Sequence, residues 1–295
     1  MTKLFRTLVT ENPMMIEITR FRRKFFGGSA SAINTVIVGL AGVIYLGLVA
    51  LVWNYRESAS PIMLILLQTG FFTLMAPALL YNSIAGERER RSWDFLLVAP
   101  VTQAQIIMGK FMGAATAILC AAVAFLLPIG IGVAYYQPYV GGYYGGGFDV
   151  VQRSFLANIN DILEAELLSI SWGLLLCAIT IFFSARCRRG FIALGVTLAF
   201  VLTTVIMWPV LVSSLAMSGL EREVAYFLHP FWVLSMMFRE GGGYDREMVA
   251  SFDWLHGIPQ ILLYLGFTIA FLVWAELTVR FADNEMKFIP KRKDA

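Results

Sequence analysis

The chain has 295 residues, 58% of them hydrophobic and only 15% charged, with a formal net charge of +3. A soluble domain is about half apolar and a quarter charged, so this composition excludes an ordinary soluble globule and sets most of the chain against lipid. The small net charge gives no reason to invoke nucleic acid, and Cys120, Cys177 and Cys187 lack the paired spacing of a disulfide scaffold or metal site; they are expected as buried free thiols.

The first 32 residues are mixed and basic, without the short apolar core and small-residue cleavage site of a signal peptide, so the N-terminus is expected to be retained. Asn12 can cap a helix with Pro13 at its first position, where the missing N–H costs nothing. Met14, Ile18, Phe21 and Phe25 then recur at helical spacing, with Glu17, Arg20, Arg23 and Lys24 off that stripe. A basic helix of this kind suits a membrane surface, as a plain anchor or as a coupling element.

Six apolar runs follow, each near the ~20 residues a helix needs to cross a bilayer: Ile33–Trp53, Ile62–Ile84, Phe111–Ala134, Ile162–Phe183, Phe191–Val212 and Ile258–Val279. The fourth is the weakest, with Glu164 and Glu166 in its first turns. A charge at the centre of a span costs at least ~2.5 kcal/mol, so both glutamates are expected at the interface. Pro77, Pro128 and Pro209 fall inside three runs, where each removes a backbone donor and favours a kink; no function is assigned to them.

Lys and Arg concentrate on the cytoplasmic side. With six spans, only Arg56, Arg153, Arg222, Arg239 and Arg246 of the 23 basic residues fall on one side. The rest fall on the other, which places both termini in the cytoplasm; an odd count of spans breaks this asymmetry. The expected protein is an all-α membrane protein: a cytoplasmic N-terminal segment (1–32) with an amphipathic connecting helix, a six-span transmembrane domain (33–280) and a basic cytoplasmic tail (281–295). Within the domain, residues 86–102 form a cytoplasmic coupling helix, and 135–161 and 216–257 lie outside.

The cytoplasmic segment Gly86-Glu87-Arg88-Glu89-Arg90-Arg91-Ser92-Trp93-Asp94-Phe95-Leu96-Leu97 has more order than a linker needs. As a helix it sets Glu89, Trp93, Leu96 and Leu97 on one stripe, with Glu87/Arg91 and Arg90/Asp94 as i,i+4 pairs. Pro100 stops it. Thr102 and Gln105 then have the T-x-x-Q form of a capping box opening the next helix, and Lys110 can snorkel where that helix enters lipid. A rigid element between two spans can pass the motion of a soluble partner to both.

This block resembles the signature between the second and third spans of ABC-2-type permeases: an acidic pair, a leucine-rich stretch, Pro, Ser or Thr, then Gly-Lys. Here these are Glu87, Glu89, Leu96, Leu97, Pro100, Thr102, Gly109 and Lys110. Glu11-Asn12-Pro13, Phe183-Ser184-Ala185-Arg186 with Arg188 and Arg189, and Leu228-His229-Pro230-Phe231 resemble further segments of that family, with His229 where Asn is commoner. The resemblance implies the permease subunit of an ABC exporter in the cell membrane, paired with a second permease, as homodimer or heterodimer, and with two copies of an ABC ATPase. It implies coupling contacts at Glu87, Glu89, Arg90, Arg91, Trp93, Asp94 and Leu96, and a connecting helix carrying Asn12, Pro13, Ile18, Phe21, Arg23 and Phe25.

No G-x-x-x-x-G-K-[ST] phosphate loop occurs in the sequence, so the chain is expected to be non-catalytic and without a cofactor, with ATP and Mg on the partner ATPase. His229 and His256 stand alone, and no H-E-x-x-H or cysteine cluster points to a metal. An ion-coupled secondary carrier is the alternative, but such carriers hold ionisable residues within their spans, whereas Glu164, Glu166 and Glu276 lie near span ends. A non-transporting membrane anchor for a cytoplasmic complex shares the same features. The outward tyrosines Tyr135, Tyr136, Tyr139, Tyr143 and Tyr144 suit an interfacial belt or a lid, and the apolar spans suit a lipidic or amphipathic cargo better than a bare ion.

Overall fold

A computed structural model describes residues 12, 32–90, 93, 101–135, 155–215, 225–237 and 257–287. Among the described residues the regular structure is entirely helical: α1 (Ala32–Asn54), α2 (Pro61–Leu80), α3 (Ala85–Glu89), α4 (Gln103–Tyr135), α5 (Phe155–Arg186), α6 (Gly190–Leu202), a π-helical turn (Thr203–Met207), α7 (Trp208–Ser214), α8 (Pro230–Met237) and α9 (Ile258–Lys287). Five stretches are long and apolar enough to cross a membrane: Pro61–Glu89, Gln103–Tyr135, Ile162–Arg186, Gly190–Ser214 and Ile258–Arg280. In α1, Gly39–Asn54 adds a further apolar stretch.

The centre of the bundle is α5, which packs against α9 on one flank and α2 on the other and also touches α4, α6 and α8. The polar side chains along it suit that position. Polar side chains that face lipid carry a desolvation cost, but those on α5 face neighbours and bond to them. Thr69 Oγ1 lies 2.9 Å from Ser169 Oγ, the Trp172 indole N–H donates to Thr73 Oγ1 at 2.9 Å, and the Gln68 amide N–H donates to Glu166 Oε1 at 2.7 Å. A Cβ on Gly173 would stand 3.2 Å from Ile118 and 3.3 Å from Phe72, so that glycine lets α2, α4 and α5 close together.

The two glutamates expected at the interface differ in burial. Glu164 is partly exposed, and its Oε1 accepts the Ile258 N–H at 2.9 Å, at the first turn of α9. Glu166 is buried between helices. Of the cysteines expected to be buried, only Cys177 is; Cys120 is exposed on α4 and Cys187 is half-buried after α5.

By contrast α1 leans on α4 alone among the elements with substantial contact. Leu40, Val43, Ile44 and Leu46 are exposed, and the Tyr45 hydroxyl reaches across to donate to the Ala124 carbonyl at 2.8 Å.

The fifth apolar run is continuous but irregular. Pro209 has no N–H to offer the Val205 carbonyl four residues back, and the wide turn Thr203–Met207 lies over this gap. His229 supplies the missing donor: its Nε2 lies 3.1 Å from the Val205 oxygen, while its Nδ1 accepts the Trp232 N–H at 3.1 Å. With Nδ1 as an acceptor, the proton of the neutral ring sits on Nε2. His229 thus caps α8, whose first residue is Pro230, and braces the kink at the same time. Two more bonds join the pieces, from Trp208 Nε1–H to the Ala225 carbonyl (2.8 Å) and from the Tyr226 hydroxyl to the Pro209 carbonyl (3.0 Å). Tyr226 stacks on Trp232 at 4.2 Å. Burial pushes the His229 pKa below its ordinary value.

Candidate functional site

At the other end of the bundle α2 stops at Leu80, and a turn leads into the short α3. The first N–H groups of a helix lack intrahelical partners, and α3 receives no cap bond from its own N-cap residue, Ile84. The acceptor comes instead from the end of α5: Ser184 Oγ takes the Ile84 N–H at 3.0 Å and the Ala85 N–H at 3.1 Å. Two glycines permit this approach. A Cβ on Gly86 would stand 2.2 Å from Asn82 Oδ1, and one on Gly190 would stand 2.1 Å from the same atom. The Asn82 amide is therefore wedged between α3 and the start of α6.

Charge fastens the segment further. Arg88 donates to the Ala185 carbonyl, and its guanidinium lies over the Trp93 ring at 5.4 Å. The Gly190 N–H points to Glu89 Oε2 at 3.5 Å, which sets a carboxylate at the positive N-terminal end of α6. Glu87 Oε1 meets Lys110 Nζ at 2.7 Å, with the lysine 7% and the glutamate 26% exposed. Lys110, expected to snorkel where α4 enters lipid, is buried and holds its ammonium on Glu87. The Thr102 and Gln105 capping box is formed, with the Thr102 N–H donating to Gln105 Oε1 at 2.9 Å and the Gln105 N–H to Thr102 Oγ1 at 3.3 Å. Asn12, buried, donates from Nδ2 to the Gln105 carbonyl at 2.9 Å.

The structure thus gathers Glu87, Glu89, Trp93 and Asn12 around the ends of α2 and α5 and the starts of α4 and α6. Glu89 and Arg90 are exposed whereas Trp93 is buried, so Glu89 and Trp93 do not share a face; α3 ends at Glu89, and Arg90 is already in a turn. Arg91, Asp94 and Leu96, and Pro13, Ile18, Phe21, Arg23 and Phe25, lie outside the described residues. So do Tyr136, Tyr139, Tyr143 and Tyr144. Asn82 and Gly190, both central to the geometry, carry no local signal: each matters through a residue about 100 positions away or across a turn. Among the described residues no three His, Cys, Asp or Glu side chains gather as metal ligands.

Five stretches long and apolar enough to cross a membrane, gathered in one helical bundle, define a multi-pass membrane protein. The family model described as ABC-2 family transporter protein matches residues 67–283, and the chain belongs to that family, as a permease component of an ABC transporter. No protein of curated function matches it. Membership implies partnership with an ABC ATPase in general terms.

Proposed function

We propose that this chain is the membrane subunit of an ABC exporter, which forms the translocation path and is driven by ATP hydrolysis on a separate ATPase. The sixth span is α1, 23 residues long and free of charge, or about 34 Å at 1.5 Å per residue. With six spans the basic residues place both termini, the Glu87 segment and the Arg186–Arg189 loop in the cytoplasm of a cell whose plasma membrane holds the protein. Two copies of the ATPase, carrying ATP and Mg, engage a pair of permeases, and the chain itself is non-catalytic.

One observation carries the reading: the segment 82–90 is bonded at once to the end of α5, the start of α6 and the first turns of α4. A push on its exposed residues, Glu89 and Arg90, is therefore delivered to several helices together. Glu87 and Trp93 serve this role from inside, as fastenings, and Glu89 and Arg90 from outside, as the docking face; the family resemblance assigns Arg91, Asp94 and Leu96 to the same role, and Asn12 contributes through its bond to the Gln105 carbonyl. Reversing the exposed pair, Glu89→Lys with Arg90→Glu, should abolish co-purification of the ATPase from native membranes while the permease still inserts. Undiminished co-purification would overturn the docking face.

A further inference from the structure

We infer that Glu166 is a proton-binding site inside the bundle, held as the neutral acid with its Oε2–H donated to the amide oxygen of Gln68. This goes beyond the permease reading and does not rest on it. The Gln68 amide N–H already donates to Glu166 Oε1 at 2.7 Å. Gln68 is 0% exposed and Glu166 7%. Their sister atoms, Gln68 Oε1 and Glu166 Oε2, are both buried and meet no donor among the described residues. An amide oxygen and an ionised carboxylate only accept, so the pair is one hydrogen short. A proton on Oε2 supplies it and closes a ring of two hydrogen bonds, amide to acid and acid to amide.

The surroundings favour the neutral form. α2 carries no charged residue, and neither do α6 and α8. The His229 ring at the cap of α8 is committed to Val205 and Trp232. On α4, Lys110 is held by Glu87 at the far end of the bundle, beside Arg88 and Glu89 of α3. On α9, the Tyr264 hydroxyl donates to the Leu228 carbonyl. Glu276 and Arg280 lie roughly 27 Å or more along the helix from Ile258, at 1.5 Å per residue. On α5 itself Glu164 is bonded to the Ile258 N–H, and Arg186 is at the opposite end. No cation pairs with Glu166 among the described residues. A buried carboxyl without a counter-charge keeps its proton rather than bear the loss of solvation.

The ring ties α2, which leads into the Glu87 segment, to α5, which ends at Ser184 and caps that segment. Removing the proton breaks one of its two bonds and leaves a bare charge between the helices, so the proton acts as a latch. Infrared difference spectroscopy on the purified full chain tests this. Near neutral pH the wild type should show a protonated-carboxyl stretch that shifts in D2O, disappears in Glu166→Gln and changes frequency in Gln68→Leu. The Gln replacement can keep both hydrogen bonds, so its thermal midpoint should stay close to the wild type. A wild-type minus Glu166→Gln spectrum holding only carboxylate bands overturns the proposal. Should that variant not fold, Gln68→Leu decides alone: a protonated-carboxyl band that it leaves unmoved overturns the pairing.

Discussion

The two ends of the bundle are fastened by different chemistry. At the Glu87 end the contacts are backbone to side chain at glycine distance, with a half-sheltered ion pair and a serine that caps a helix not its own. At the His229 end an irregular helix is braced by the polar tips of Trp208, Tyr226 and His229 reaching backbone carbonyls. The first arrangement is tight where the Asn82 amide sits against two glycines, so a methyl added there displaces that amide from between α3 and α6. The second is a set of long side chains that can be removed one at a time. A segment that passes on a push needs the first kind of fastening; a kink that must be held while the helix around it flexes is served by the second.

The largest effect should come from one methyl group at the tight end. In Gly86→Ala the new Cβ meets all three terminal atoms of the Asn82 amide within 2.7 Å, and overpacking of this kind costs about 3 kcal/mol. Thermal denaturation in detergent should show that loss, and Asn82→Ala in the same chain should recover most of it. A harmless Gly86→Ala would erase the contrast between the ends.

At the braced end His229→Phe keeps the ring but drops both bonds, at about 2 kcal/mol for the orphaned Val205 carbonyl and the uncapped helix. Pro209→Ala restores a donor to Val205, so the histidine should matter less in that background; equal losses in both would sever His229 from the kink. Acid should have the same effect as the mutation. Because burial lowers the His229 pKa, its contribution is complete above the unfolded value of about 6.5 and drains away as pH falls through the lowered folded value. Melting curves of the wild type should show an acid-dependent decline that is smaller in His229→Phe.

The smallest effect should be that of Lys110→Met. Losing one partner of a fully buried pair costs several kcal/mol, but Glu87 keeps some access to water, which reduces the figure to about 1 kcal/mol. Glu87→Gln added to it should change little more. A loss larger than that of Gly86→Ala would make charge, not volume, the main fastening of that end.

What could be read from the sequence was what neighbouring residues encode. Thr102 and Gln105 stand three apart, and their reciprocal bonds form as expected. The apolar runs, read by length, match the five spanning stretches and α1. The α5 run reads as the weakest because Glu164 and Glu166 stand in its first turns, yet Glu166, with Ser169 and Thr180, is buried within the bundle. Ser184 as the cap of α3, Asn82 against Gly190, and His229 in place of the Pro209 donor each join residues far apart in sequence. No periodicity registers such pairs.

The wide turn at Thr203–Met207 has one more consequence. A π turn holds roughly one residue more than an α turn, so the chain beyond it is rotated by about 100° from where an unbroken helix would set it. Gly190, Ala193, Thr197 and Val201 make a regular inward stripe on α6; within the wide turn no residue is buried, and beyond it only Val212 is. The two halves of one apolar run therefore present different faces to their surroundings, as though a single residue had been inserted into a straight helix. Deleting one residue from the turn would realign the halves and carry the outer one, with its two bonds to the segment around His229, a quarter-turn out of register.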